Sequence, residues 1–181
     1  MAPSPFVVQW VQRLARELDA PRTHPRGLDV AMGRGRHTAL IALAGFRVFG
    51  VDWKLDLLQG AIASARDSGI AIRAWCADVT QHPLPLAWFD LVVVARYLQR
   101  DLFPALCQTV KPGGFLLYET FTTAQRELPT GPKSPDHLLE PGELRARLAV
   151  PGWNVRFYEE TQRPEAVARV VAVRLTADRR N

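Results

Sequence analysis

The residue types capable of chemistry in this chain gather where apolar runs end. The stretch Leu28-Asp29-Val30-Ala31-Met32-Gly33-Arg34-Gly35-Arg36-His37 sets a carboxylate and two glycines where a strand pattern gives way to a helix pattern. Glycines there let the backbone approach a ligand closely, and a helix N-terminus offers free amide donors. Seventeen residues after Gly35 the next apolar run ends in Asp52. An acid in that place can accept hydrogen bonds from both hydroxyls of a ribose. A third acid, Asp78, follows the third run in Cys76-Ala77-Asp78-Val79 and could take an adenine amino group. The expected cofactor-binding set is Asp29, Ala31, Gly33, Gly35, His37, Asp52, Trp53, Asp78, Val79 and Ala95.

A nicotinamide dinucleotide fits this pattern poorly. Its fingerprint needs a third glycine where Thr38 stands. Asp29, inside the turn, would repel a pyrophosphate and suits a cationic group instead. Any one of these acids could be a solvated strand end. Three acids after three successive strands, together with the glycine turn, ask for a ligand.

The elements that must position them alternate. Strands are expected at Gly27–Met32, Arg47–Val51, Ile70–Cys76, Asp90–Ala95 and Phe115–Thr120, with helices at His37–Ala44, Leu55–Asp67 and Leu102–Val110. The run Leu91-Val92-Val93-Val94 suits a central parallel strand buried on both faces. Such alternation predicts a parallel sheet with helices on both sides, an α/β fold. Lys111-Pro112-Gly113-Gly114 reads as a turn. Before the first strand, residues 4–18 form an amphipathic helix with Ser4 as cap and Pro5 in the first turn. That helix either packs on the core or flaps over a site. Residues 20–26 are a linker in which two prolines stop the helix.

Residues 122–142 hold four prolines and two glycines and read as a long loop, expected to act as a mobile lid. A short helix at Glu143–Ala149, an antiparallel pair of strands at Trp153–Glu159 and Ala166–Leu175, and a polar tail at Asp178–Asn181 follow. One domain is expected, with residues 1–26 as N-terminal helix and linker and 27–176 as the ligand-binding core.

Composition narrows the function classes. The net charge is +5, but 20 of the 23 basic residues are scattered arginines, a composition of GC-rich bacterial type, so a nucleic-acid partner is not expected. Two cysteines, Cys76 and Cys107, form no disulfide framework and no metal or redox spacing, and no metal site is expected. The first residues do not read as a secretion signal and no apolar run reaches membrane length, so a cytoplasmic location is expected.

These motifs resemble the class I S-adenosylmethionine-dependent methyltransferases. Within them the chain is similar to the small group around the tellurite-resistance methyltransferase. Class-wide matches are Leu28–His37, Gly50-Val51-Asp52 and Ala77-Asp78-Val79; Phe89–Val94, Arg96-Tyr97-Leu98-Gln99-Arg100 with Phe103-Pro104, Pro112-Gly113-Gly114, Tyr118-Glu119-Thr120-Phe121, His137-Leu138-Leu139 and Pro141–Leu144 add to the match. The resemblance implies a Rossmann-like, seven-stranded, mostly parallel sheet in the order 3-2-1-4-5-7-6, and S-adenosylmethionine as cofactor. It implies methyl transfer to a small nucleophile, such as a thiol or a chalcogen oxyanion, with S-adenosylhomocysteine as product. Methylation of RNA or protein by the same core, or a non-catalytic module that binds the cofactor, are the alternatives. Three departures stand out: Ala31 stands where the class often has glycine, Met32 where the group often has cysteine, and Gln99 where it often has an aromatic or histidine, and glutamine cannot accept a proton as histidine can.

The acceptor is expected beyond the carboxyl ends of strands four and five. Candidate catalytic residues are Arg96, Tyr97, Glu119 and His137. Each has a plainer explanation: Arg96 could pair with Glu119 or Asp101, Tyr97 could be core, and His137 could lie on the surface. A lone buried carboxylate at Glu119 would be costly, which favours a functional role. If Arg36, Arg96 and Arg100 all face the reacting methyl, the acceptor pocket is cationic and prefers an anion.

Overall fold

The computed structural model describes residues 2–176, so the tail read over Asp178–Asn181 lies outside the described residues. Seven strands form one sheet: β1 (Arg26–Val30), β2 (Arg47–Asp52), β3 (Arg73–Cys76), β4 (Phe89–Ala95), β5 (Val110–Phe121), β6 (Trp153–Thr161) and β7 (Val167–Arg174). Their order is β3-β2-β1-β4-β5-β7-β6. The first five run parallel, and β7 is antiparallel to both β5 and β6. This is the predicted α/β architecture. The order reverses between β1 and β4, and a crevice opens there beyond the strand ends.

Helices cover both faces. On one side lie α1 (Pro5–Glu17), the single turn α2 (Ala20–Thr23), α3 (Arg36–Leu43) and α4 (Leu55–Asp67). On the other lie α5 (Phe103–Thr109) and α6 (Glu143–Leu148). Alternation along the strands decides which side chains go where. Leu28, Val30, Val92, Val94, Leu116 and Tyr118 pack towards α5 and α6. Leu91, Val93, Phe115 and Leu117 pack towards α1 and α3.

Helix α1 is a packing element. Its apolar stripe of Phe6, Trp10, Val11 and Leu14 is buried, with Phe6 and Trp10 against Phe157 at centroid distances of 5.8 and 5.4 Å. Each such side chain contributes about 1.5–3 kcal/mol of burial free energy before the entropy of ordering it. The expected Ser4 cap does not form through its hydroxyl.

Three segments depart from the sequence expectation. The linker at 20–26 contains the turn α2, with Pro21 in its first turn, where a missing N–H costs nothing. Lys111–Gly114 is not a turn between elements but part of β5. The pairing jumps from Phe89–Val110 to Leu91–Phe115, and the extra residues bulge out, with Gly113 at φ +82°. The loop at 122–142 is tied to the sheet. Thr122 bridges Leu139, and short 3₁₀ turns occupy Thr123–Glu127 and Pro135–His137. Buried Gln125 donates to the Thr130 carbonyl and accepts from the Ala166 N–H, both at 2.7 Å. The Lys133 ammonium donates to the carbonyls of Gln125, Arg126 and Leu128.

Candidate functional site

The chain turns sharply after β1 and after β4, the strands that flank the crevice. Ala31 has φ +55° and Arg96 φ +59°, left-handed values that cost a non-glycine residue about 1–2 kcal/mol. Strain of this kind persists where the surrounding structure imposes it, typically at sites. Gly33 (φ +52°) and Gly35 (φ +73°) complete the first turn. A Cβ on Gly35 would also stand 3.1 Å from the Ala61 Cβ, so glycine lets the loop meet α4 closely.

Asp52 links that turn to β2. Its Oδ2 accepts the Gly33 N–H at 2.8 Å and its Oδ1 accepts the Lys54 N–H at 2.9 Å. Each oxygen keeps a further lone pair. Beside it opens a shallow recess lined by Ala31, Val51, Asp52, Trp53, Ala77, Asp78, Val79 and Tyr97. Asp78 holds Thr80 through Oδ1 alone, at 2.9 Å to the backbone N–H and 2.7 Å to the hydroxyl. Those bonds pull its carboxyl below the ordinary range. Its Oδ2 has no partner among the described residues. Trp53 stands 67% exposed on the rim, an unusual place for so large an apolar ring.

Of the expected cofactor set, Ala31, Asp52, Trp53, Asp78 and Val79 line this recess, and Tyr97, expected as an acceptor-side residue, joins them. Asp29, Gly33, Gly35, His37 and Ala95 lie behind it or towards β4. Asp29, 2% exposed, points to the α3 face and accepts the Thr38 hydroxyl at 2.6 Å. Burial pushes its carboxyl up to about 7. The buried His37 accepts the Ser4 N–H through Nε2 at 3.1 Å. Burial, with Arg36 and Arg96 adding repulsion, pushes its ring down to about 4. The Ser4 hydroxyl is buried without a partner.

The ends of β4, β5 and β7 are occupied by ion pairs. Arg96 forks onto Glu165, in the turn before β7, at 2.7 and 2.5 Å. The anticipated partners Glu119 and Asp101 are not the ones used, although the Arg96 N–H donates to the Glu119 carbonyl at 2.8 Å. The Glu119 side chain, 2% exposed, binds Arg169 at 2.7 Å, and Arg169 also reaches Glu159 at 3.0 Å. Burial raises the Tyr97 phenol above its usual value, and its carbonyl accepts the Tyr118 hydroxyl.

The expected trio of arginines does not converge. Arg100 turns away to Glu143 (2.8 Å) and the Leu138 carbonyl (2.8 Å), beside α6. Arg36 stays near Arg96 and donates to the Ala2 carbonyl at 3.1 Å. His137 is exposed on its 3₁₀ turn and does not line the recess. Sequence reasoning passed over Glu165, Arg169, Gln125 and the reach of residues 2–4 to α3. All are contacts across large sequence separation, for which a local pattern carries no signal. Among the described residues no group of His, Cys, Asp or Glu is placed to hold a metal ion, and no helix is long and apolar enough to cross a membrane.

Comparison with known proteins gives this geometry a context. A family model described as "Methyltransferase domain" matches residues 28–114, the stretch from the glycine turn to the start of β5's long run. A ubiquinone biosynthesis O-methyltransferase from Bordetella avium is 28% identical over 163 residues, covering 79% of this chain; the chain spans 66% of that relative's length. A methyltransferase structure from Aquifex aeolicus superposes with a TM-score of 0.71 at 19% identity, covering 96% of this chain and 94% of that one. TehB from Haemophilus influenzae gives 0.68 at 14% identity, over 91% and 62%. The likeness to TehB is one of fold, shared with many other structures, and does not single out its group.

The cofactor that the family implies can be tested against the donor set. Ribose hydroxyls need acceptors, and Asp52 has spare lone pairs. An adenine amino group needs one more, and Asp78 Oδ2 is free of partners among the described residues. A flat purine suits the exposed face of Trp53. The residues fit that cofactor, and the methyltransferase-domain match over residues 28–114 and the strand order agree with the resemblance to the class I S-adenosylmethionine-dependent methyltransferases.

Proposed function

We propose that the chain transfers a methyl group from S-adenosylmethionine to a small-molecule nucleophile arriving over the ends of β4 and β5. The observation that carries this is the recess at the ends of β1–β3, with two strand-end carboxylates that retain hydrogen-bonding capacity. Asp52 holds the ribose and Asp78 the adenine amino group. Ala31, Gly33 and Gly35 bring the backbone close, Trp53 and Val79 cover the ring, and Ala95 borders the reacting end. Asp29, behind the turn with His37, offers a carboxyl to the cationic amino end. When bound, the cofactor supplies a methyl group already activated on a sulfonium; the acceptor's lone pair forms the new bond and the sulfur keeps the old bonding pair as S-adenosylhomocysteine.

What remains for the protein is alignment of the nucleophile, which accounts for much of the rate in such a displacement. Arg96 and Tyr97 border the path and serve as positioning and binding groups. Glu119 is committed to Arg169 and His137 is exposed, so neither is assigned a proton-transfer role. A nucleophile that ionises readily, a thiol or a chalcogen oxyanion, needs no strong base. The Arg96–Arg100 and Tyr118–Phe121 stretches support the narrower kinship with the tellurite-resistance group. The names of the Bordetella relatives favour a second reading, an oxygen acceptor.

A panel of thiols, phenols and chalcogen oxyanions scored by S-adenosylhomocysteine release tests the proposal. Release with at least one small acceptor, absent in Asp52→Ala, is expected. Cofactor binding with no release from any acceptor class would favour a non-catalytic module.

A further inference from the structure

The pair between Arg96 and Glu165 has features that a purely structural latch does not need. Arg96 sits in a left-handed turn at the end of β4, its guanidinium 5.1 Å over the Phe121 ring. Both terminal nitrogens grip the two oxygens of Glu165, while its Nε is buried without a partner. Glu165 comes from the turn joining β6 to β7, and its side chain is 39% exposed. The neighbouring acid, Glu119, is already bound to Arg169. Arg36 stands close enough for the two guanidinium groups to repel, and its own hydrogen bond among the described residues is to a backbone carbonyl. Without Glu165, two arginines would share this end of the crevice, with Glu119 committed to Arg169 and the buried Asp29 bonded to Thr38.

We propose that the Arg96 guanidinium is a seat for the carboxylate of the acceptor, occupied by Glu165 until a carboxylate-bearing small molecule displaces it. The inference rests on the methyltransferase reading for the identity of the ligand as acceptor. A planar fork recognises a carboxylate through two parallel bonds, and Glu165 shows that the seat accepts one in that geometry. The pair is partly solvated, with side chains 26% and 39% exposed, so its net contribution to stability is modest and a ligand carboxylate can exchange for it. Arg36 then adds attraction for the incoming anion. The class of acceptor is therefore a small acid carrying a second, nucleophilic group that the seat directs towards the cofactor.

Benzoate, which has the carboxylate and no second nucleophile, is the probe. Its binding to the full chain is followed by NMR, with and without S-adenosylhomocysteine. Glu165→Gln should bind benzoate roughly 10-fold more tightly than the native chain, the factor expected when an internal competitor occupying about nine-tenths of the molecules is removed. In the native chain, saturating benzoate should shift the amide signals of Arg163, Glu165 and Ala166 as the turn is released. Adding Arg96→Gln to Glu165→Gln should abolish the gain. Equal benzoate affinity in the native chain and Glu165→Gln, or a gain that survives Arg96→Gln, would overturn the seat. Calorimetry with S-adenosylmethionine separates this from the underlying reading: loss of cofactor binding would sink the methyltransferase assignment while leaving the benzoate result standing on its own.

Discussion

At the ends of β1–β3 the polar groups face a recess with hydrogen-bonding capacity to spare, whereas at the ends of β4, β5 and β7 they are matched to one another. Asp52 and Asp78 bind only local backbone and hydroxyl donors and keep lone pairs for a ligand. Arg96, Glu119, Glu165 and Arg169 are each held by a charged partner. The contrast teaches that a cofactor shared across a family can be met by a preformed surface. On the proposed reading, an acceptor enters where the chain has already satisfied itself, and its recognition requires exchange. Variants on the two sides should accordingly differ in kind: cofactor affinity on one, stability or acceptor-side binding on the other.

The largest effect is expected on the cofactor side. Asp52→Ala should weaken S-adenosylmethionine binding by roughly 100-fold or more, from two hydrogen bonds to a carboxylate at about 1.5–3 kcal/mol each. Circular dichroism should show the fold intact. Calorimetry giving native affinity would remove Asp52 from the site.

On the other side, Arg169→Ala strands a buried carboxylate. Glu119 is 2% exposed and Arg169 is partly solvated, so a loss of about 2–3 kcal/mol is expected in denaturant unfolding, below the value for a fully buried pair. Cofactor affinity should barely move. A variant as stable as the native chain but impaired in cofactor binding would reverse the roles given to the two regions.

Between the two regions, pH dependence sharpens the comparison. Asp29 is raised from 3.8 to about 7, so its contribution to stability is complete below pH 4 and is lost as pH rises towards 7. His37 is lowered from 6.5 to about 4, so its contribution is complete above pH 6.5 and is lost as pH falls towards 4. The two slopes oppose each other between pH 4 and 6.5. Asp29→Asn should leave a stability that rises with pH across that window, and His37→Gln one that falls. Thermal unfolding at half-unit steps reads both; identical profiles in the two variants would mean that neither group titrates as its surroundings imply.

The smallest effect is expected at Arg100. It shares Glu143 with Arg147, whose Nε also donates to that carboxylate at 2.7 Å, so Arg100→Ala should cost under about 1 kcal/mol and leave turnover unchanged. A large rise in KM for the acceptor would return Arg100 to the acceptor pocket.

The cofactor side was legible in the sequence because its signals are local. The glycine turn, Asp52 and Asp78 each follow an apolar run, and the unbroken apolar run Leu91–Val94 placed β4 at the sheet's centre. The strand order came from resemblance to a family, since spacing alone does not choose among parallel arrangements. The other side was opaque for a physical reason. Arg96 meets Glu165 across 69 residues and Arg169 meets Glu119 across 50. In a sequence where arginines are scattered, no spacing singles out either pair. Arg100, one turn beyond Arg96 in a helical count, was expected beside it. The chain is extended at Gln99, at φ −140° and ψ 106°, and the two guanidinium groups part. The loop at 122–142 was legible as a long loop from its prolines and glycines, but those residues carry no signal of the anchoring supplied by Gln125 and Lys133.

The central claim is that the recess at the ends of β1–β3 takes S-adenosylmethionine and not a dinucleotide. Titration of the native chain by calorimetry, with S-adenosylmethionine, S-adenosylhomocysteine and the oxidised nicotinamide dinucleotide in turn, tests it most directly. The account predicts saturable one-to-one binding of the first two, in competition with each other, and no heat from the dinucleotide. Saturable binding of the dinucleotide, or no binding of S-adenosylmethionine, would contradict it.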